Sequence, residues 1–255
     1  MLFVIAFVGG AMLGSFLNVC IWRLPREESI VFPPSHCPQC QVPIRPWDNV
    51  PIVSYLVLRG RCRACGAGIS WRYPAVEALT GTMAVLLLWR FGVTPAFAVA
   101  GVFVAAMIVI SFIDLDHQII PDEISLPGIV LGVIVAAVGY GPPLVDSVIG
   151  VLLGGGLLWA VAAGYAALMK RDGMGGGDIK LLAMIGAFLG WRAVLVTVIL
   201  GSLSGAVIGI AWIGLRGADR RVPIPFGPFL AAGAVCALFC GDALIDWYLA
   251  LAMPA

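Results

Sequence analysis

Seven cysteines and a few carboxylates are the residues of this 255-residue chain best suited to chemistry. Cys37-Pro38-Gln39-Cys40 and Cys62-Arg63-Ala64-Cys65 are two CxxC pairs separated by 21 residues. Four thiolates at that spacing suit tetrahedral zinc held between two folded knuckles. Two redox-active or metal-free pairs are the competing reading. His36 adjoins Cys37 and could compete as a ligand, although four cysteines already complete the shell. Cys20, Cys236 and Cys240 read as small buried hydrophobes.

The carboxylates fall into two groups. In the first, Asp114 directly follows the apolar run that ends in Phe112-Ile113, Asp116 comes two residues later, and Asp122 follows Pro121. Ser125 is expected to cap the next helix, with Pro127 in its first turn. The second is Gly173-Met174-Gly175-Gly176-Gly177-Asp178-Ile179-Lys180. A phosphate loop needs Gly-Lys-Ser/Thr after its glycines, and Asp178-Ile179 stands there instead. Glycines such as Gly175 and Gly177 also permit positive φ and close backbone approach, which would bring another helix or an extended peptide near Asp178. Two carboxylates from different helices at one membrane boundary suggest a dyad sharing a proton. One would be the base on a water, the other the acid on a peptide carbonyl. Separate capping or loop roles for each Asp remain the alternative. Lys180 could tune Asp178, meet an acidic substrate residue or, by default, anchor at the interface.

The elements that must position these groups lie in lipid. Hydrophobic residues make up 61% of the chain and charged ones 11%, against about 25% charged in a soluble domain. That excludes a soluble globular protein, a disordered one and a nucleic-acid binder with a basic face. A spanning helix needs about 20 apolar residues. Candidate spans are 2–21, 74–91, 96–113, 124–140, 145–169, 179–190, 193–215 and 226–251. The fold class is an all-α polytopic membrane protein, with about eight transmembrane helices and a small zinc-ribbon-like cytoplasmic insert between the first two. No positive charge precedes the first apolar run and Arg23 and Arg26 follow it, so it reads as a retained helix rather than a signal peptide.

With the N-terminus outside and alternating crossings, only Arg90 and Arg192 of the 15 Lys and Arg fall on the outer side, a strong positive-inside bias. Both termini are then external. Trp22, Trp89, Trp191, Trp212 and Trp247 near the span ends suit an aromatic belt. The chain divides into a first helix (1–21), a cytoplasmic four-cysteine insert (22–73) and a seven-helix membrane domain (74–255) carrying the dyad. The insert faces a reducing compartment, which disfavours disulfides. It has little core of its own, so a metal would hold it together.

The chain resembles the type IV prepilin peptidases (leader peptidase/N-methyltransferases), of the GxGD family of membrane aspartyl proteases. The resemblance rests on Gly14-Ser15-Phe16-Leu17-Asn18-Val19, Arg23-Leu24-Pro25, both CxxC pairs, and Arg45-Pro46-Trp47-Asp48-Asn49-Val50-Pro51. It continues through Arg72-Tyr73-Pro74-Ala75-Val76-Glu77, Ile113-Asp114 with Pro121-Asp122, Gly175-Gly176-Gly177-Asp178, and Pro223-Ile224-Pro225-Phe226-Gly227-Pro228. It implies a bacterial inner-membrane enzyme that cleaves the leader of prepilins or pseudopilins, for a type IV pilus or type II secretion, on the cytoplasmic face. Asp114 and Asp178 are then the catalytic pair; Asp116 and Asp122 match neighbouring positions. It further implies methylation of the new N-terminus with S-adenosylmethionine. No dinucleotide-type GxGxxG is present for that cofactor. Asn18 and Glu77 could bind the substrate amine or the cofactor, or equally hydrogen-bond between helices.

Two other classes compete. A small transporter could use the inner-edge carboxylates as ion sites, though such sites usually lie mid-membrane between inverted repeats, and no repeat is visible. A scaffold docking a cytoplasmic partner through the insert would leave both acidic motifs unexplained. A presenilin-type protease would share the GxGD motif but not the other segments quoted.

Overall fold

The computed structural model describes residues 1–170, 175–216 and 225–252. Gly173, Met174, Pro223 and Ile224 of the sequence motifs lie outside the described residues, as do Arg171, Arg220 and Arg221 of the charge pattern. The described residues form nine α-helices and no strand. They are α1 (Leu2–Arg23), α2 (Val53–Val57), α3 (Arg72–Phe91), α4 (Pro95–His117), α5 (Asp122–Ala137), α6 (Leu144–Met169), α7 (Gly176–Leu189), α8 (Trp191–Arg216) and α9 (Gly227–Ala252).

Each expected span falls on a helix, although the fourth, 124–140, runs three residues past the end of α5 at Ala137. Among the described residues, five segments are long and apolar enough to cross a membrane: Leu2–Arg26, Pro95–His117, Leu144–Met169, Trp191–Trp212 and Gly227–Ala252. The others are shorter or more polar. α3 carries Arg72, Glu77 and Arg90, α5 has 16 residues and α7 has 14. Leu152, Val207 and Ile210 are more than 60% exposed on their helices. Apolar surface on this scale needs lipid around it. The chain is a multi-pass, all-α membrane protein with a cysteine-bearing insert between its first two long helices.

Helix ends depart from expectation at one instructive place. Ser125 does not cap α5, which begins three residues earlier, at Asp122, with Pro121 at its N-cap. The Ser125 hydroxyl instead donates back to the Pro121 carbonyl at 3.2 Å, a bond that suits a helical rather than a capping serine. Asp122 and Glu123 occupy the first turn, where acidic side chains complement the helix dipole. Pro127 therefore lies inside the helix.

The chain packs as two compact units that divide within α4, Met1–Val109 and Ile110–Ala255. In the first, α1 packs along α3. A Cβ at Gly10 would lie 2.7 Å from the Ala84 side chain, and one at Gly14 would lie 2.7 Å from the Glu77 backbone. Small residues at such crossings let helices approach closely where hydrophobicity alone gives no drive to associate. In the second unit α7 is the central helix, packed on α5, α6, α8 and α9. Every residue from Leu181 to Phe188 is buried. A helix buried all round needs no polar face. At its crossing with α6, Gly186 meets Gly150 backbone to backbone.

Candidate active site

Asp114 sits in the last turn of α4 and is 5% exposed. Its Oδ2 accepts a 2.9 Å hydrogen bond from the backbone N–H of Gly227, the first residue of α9. That N–H has no partner within its own helix, so it is available to an acceptor outside. Gly227 must be glycine for the contact to form. A Cβ there would lie 2.6 Å from Asp114 Oδ2 and 3.3 Å from Ile120 Cδ1. Asp116, two residues past Asp114, is exposed on another face of the helix.

α4 ends at His117, and Gln118 turns the chain with φ 55°. A short link then reaches Asp122. On this link Ile120 packs against Gly177, where a Cβ would lie 2.9 Å from the Ile120 Cβ. Ile120 thus touches the glycines that adjoin both aspartates. None of Gly175, Gly176 and Gly177 has a positive φ. Close approach at Gly177, rather than unusual backbone, is what the described part of the glycine run supplies.

Asp178 lies in the first turn of α7 and is half-buried. The Asp114 and Asp178 carboxylates are close enough to repel one another. The fold therefore brings together two acids 64 residues apart in sequence. Lys180 pairs with Asp122, a contact its place in the sequence does not announce. Its Nζ binds both carboxylate oxygens of Asp122 at 2.7 Å.

The four cysteines also converge. The Sγ atoms of Cys37, Cys40, Cys62 and Cys65 lie within 4.8 Å of one another, and Cys37 and Cys65 are 3.9 Å apart. Tetrahedral zinc with bonds of about 2.3 Å has S···S edges of about 3.8 Å, so the donor set fits that metal. Two matching knuckles build it. Cys37 N–H donates to Val42 O and Cys62 N–H to Ala67 O. The residue after each second cysteine is left-handed, Gln41 at φ 59° and Gly66 at φ 73°. His36 stays out of the cluster, its Nδ1 3.2 Å from the Pro34 carbonyl oxygen. Hydrogen bonds from the backbone N–H groups of Cys40 and Gln39 lower the Cys37 thiol to about 6. The Ala67 N–H favours a thiolate at Cys65, but the Cys40 and other neighbouring thiols outweigh it and push Cys65 up to about 11. Arg63 clamps Asp48 through a fork of bonds of 2.7–3.0 Å.

Asn18 and Glu77, the candidates for methyl transfer, are both buried and both engaged. Asn18 Nδ2 donates to the Tyr73 carbonyl at 3.1 Å. The Glu77 carboxylate accepts from the Ile52 N–H at 2.7 Å and from the Ser15 hydroxyl. These bonds tie α1, the insert and α3 together. Sequence reasoning assigned no role to Gly227 or to the Asp122–Lys180 pair. The Gly227-Pro228 step opening an apolar run was the available signal for the first.

Residues 8–91 match the bacterial peptidase A24 N-terminal domain, and residues 101–210 match the type IV leader peptidase family. The chain belongs to the type IV leader peptidase family. A prepilin leader peptidase/N-methyltransferase of Pseudomonas aeruginosa is 38% identical, over 95% of this chain and 92% of its own. Proteins of the same name from Aeromonas hydrophila and Legionella pneumophila are 39% and 35% identical. They cover 97% and 92% of this chain, and 93% and 90% of their own. No solved structure matches the chain significantly. Membership of this family favours a peptidase over the transporter. Both aspartates fall in the region that matches the leader peptidase family, and all four cysteines in the N-terminal one.

Proposed function

We propose that this protein is an aspartyl endopeptidase of the bacterial inner membrane. It removes the leader of type IV prepilins or pseudopilins and N-methylates the new N-terminus. The observation that carries the peptidase reading is the neighbouring Asp114 and Asp178 pair, with one oxygen of Asp114 held by a backbone N–H. In the reaction, one carboxylate takes a proton from water, whose oxygen attacks the scissile carbonyl carbon. The other carboxyl protonates that carbonyl oxygen. Collapse of the tetrahedral species breaks the C–N bond. A proton passes to the departing amine, and the pair returns to its starting state. Neither a metal nor a covalent intermediate enters these steps.

The rest of the reading follows the relatives' printed name and the chemistry of the first unit. Zn2+ held by Cys37, Cys40, Cys62 and Cys65 would cross-link the insert. A cavity of about 520 Å³ between α1 and the insert has Ser15, Arg23 and Asn49 among its lining. Small-molecule sites typically measure roughly 300–1,000 Å³, and this cavity has that size; S-adenosylmethionine, when bound to the protein, would supply the methyl group. Glu77 would steady the wall of this cavity through Ser15, and Arg23 through its bonds to the Ser29 and Pro33 carbonyls. Asn18 would hold the start of α3. Eight crossings, with both termini periplasmic and the aspartates and insert cytoplasmic, complete the arrangement.

The test is a proteoliposome assay on a prepilin, read by intact mass. Wild type, Asp114→Asn and Asp178→Asn are compared with and without S-adenosylmethionine. Leader loss in wild type alone, with one added methyl when the methyl donor is present, is the expected result. Cleavage surviving either Asn variant removes that residue from catalysis. A wild type that cleaves no prepilin overturns the reading.

A further inference from the structure

The first turn of α7 carries Asp178, and two contacts hold that turn to the link following α4. Gly177 lies against Ile120 without room for a Cβ. Lys180 Nζ lies 2.7 Å from Oδ1 and from Oδ2 of Asp122. Residues three apart on a helix share a face, so Gly177 and Lys180 present one face to the 118–122 link. Asp178 is about 100° round the helix from Gly177. Two attachments on one face set the rotation of the turn about its axis, and with it the direction in which Asp178 points. Further along, α7 is locked by its buried residues Leu181 to Phe188. Its N-cap is Gly175, which offers no side-chain cap.

We infer that Lys180 and Asp122 are positioning residues for the peptidase reaction, their ion pair aiming Asp178 at Asp114. The inference rests on the proposed peptidase activity. Both side chains are well exposed, 37% for Lys180 and 52% for Asp122. Exposed pairs of this kind add little to stability, so the effect of this one lies in geometry. Displacing a reacting group by about 1 Å can cost on the order of 100-fold in rate. The link leaves α4 only a few residues past Asp114, so the same short segment carries the first aspartate and grips the helix turn of the second.

The experiment measures kcat and KM for prepilin cleavage in proteoliposomes. It compares wild type, Asp122→Asn, Lys180→Gln and Lys180→Arg, with methylation of an already cleaved pilin and the unfolding temperature recorded beside them. The expected result is a fall in kcat of about 10- to 100-fold for Asp122→Asn and Lys180→Gln. KM and methylation stay unchanged, and Lys180→Arg, which keeps the charge, stays near wild type. Wild-type kcat in both neutral variants overturns the inference. So does a parallel loss of cleavage, methylation and unfolding temperature, which would mark the pair as structural. A wild type inactive on prepilins overturns the peptidase reading itself and this inference with it. An active wild type with unaffected variants overturns the inference alone.

Discussion

The Gly227 backbone N–H and the Asp114 carboxylate meet at 2.9 Å across 113 residues of chain. The contact joins the start of α9 to the end of α4 and leaves the second Asp114 oxygen for chemistry. A methyl group at residue 227 would overlap Oδ2, at 2.6 Å. Gly227→Ala is therefore expected to turn the Asp114 carboxylate away. Prepilin cleavage should fall on the order of 100-fold, with methylation of cleaved pilin retained. Intact-mass assays of both activities check this, and a Gly227→Ala enzyme with wild-type cleavage would refute it.

A proton shared by two carboxylates leaves its mark on pH dependence. Coupled acids titrate as a pair, in two macroscopic steps. Cleavage by the wild type is expected to be bell-shaped in pH. Initial rates at saturating prepilin, from mildly acidic to mildly basic buffer, test this. A flat profile across the carboxylate range would remove the shared-proton mechanism.

The cysteine cluster predicts one zinc ion per chain and a defined response to acid. Zinc takes thiolates, so occupancy depends on deprotonation. The folded-state value of Cys37, about 6, lies below the ordinary 9.0. The contribution of its thiolate is thus full above about pH 9 and is lost as pH falls through about 6. Cys65, at about 11, is protonated at about pH 8 and must release its proton when zinc binds. Zinc uptake at about pH 8 should therefore acidify a weak buffer, and bound zinc should leave in acid as protons compete for the thiolates. Metal analysis over a pH series reads both. Retention of full zinc at about pH 4 would contradict the assignment.

Glu77 holds the insert by an unusual grip. Its partner Ile52 has φ 63°, a conformation that costs a β-branched residue about 1–3 kcal/mol. Glu77→Ala removes the acceptor that helps hold it there. The insert should become more open to limited proteolysis, and methyl transfer should fall further than leader cleavage. Glu77→Gln, which keeps a carbonyl oxygen, should lie between. Equal loss of both activities would argue against a local effect.

Gly186 and Gly150 face each other where α6 and α7 cross. A Cβ on Gly186 would fall onto the Gly150 carbonyl. Gly186→Ala must push α6 and α7 apart, at a cost of about 1–3 kcal/mol for an overpacked site. A lower unfolding temperature in detergent, with zinc content unchanged, is the expected outcome. An unaltered unfolding temperature would mean that the crossing yields more easily than its geometry implies.

Much of this protein was legible in its residue order. Apolar runs placed the long helices to within a few residues, because lipid admits no other local structure for such segments. The paired CxxC motifs specified a four-sulfur site, since knuckle geometry is local to each motif. Asp114 and Asp178 stood out because charge is costly beside hydrocarbon. The tertiary structure alone decided which groups hold the two aspartates. Hydropathy ranks residues by burial in an apolar medium, and in a bilayer the lipid face and the packed face are both apolar. The sequence of α7 therefore carries no stripe to reveal that it is central. Nor does anything local to Asp114 point to a backbone N–H 113 residues away, or anything local to Lys180 to Asp122. Those contacts exist because small residues let helices from distant parts of the chain close on one another.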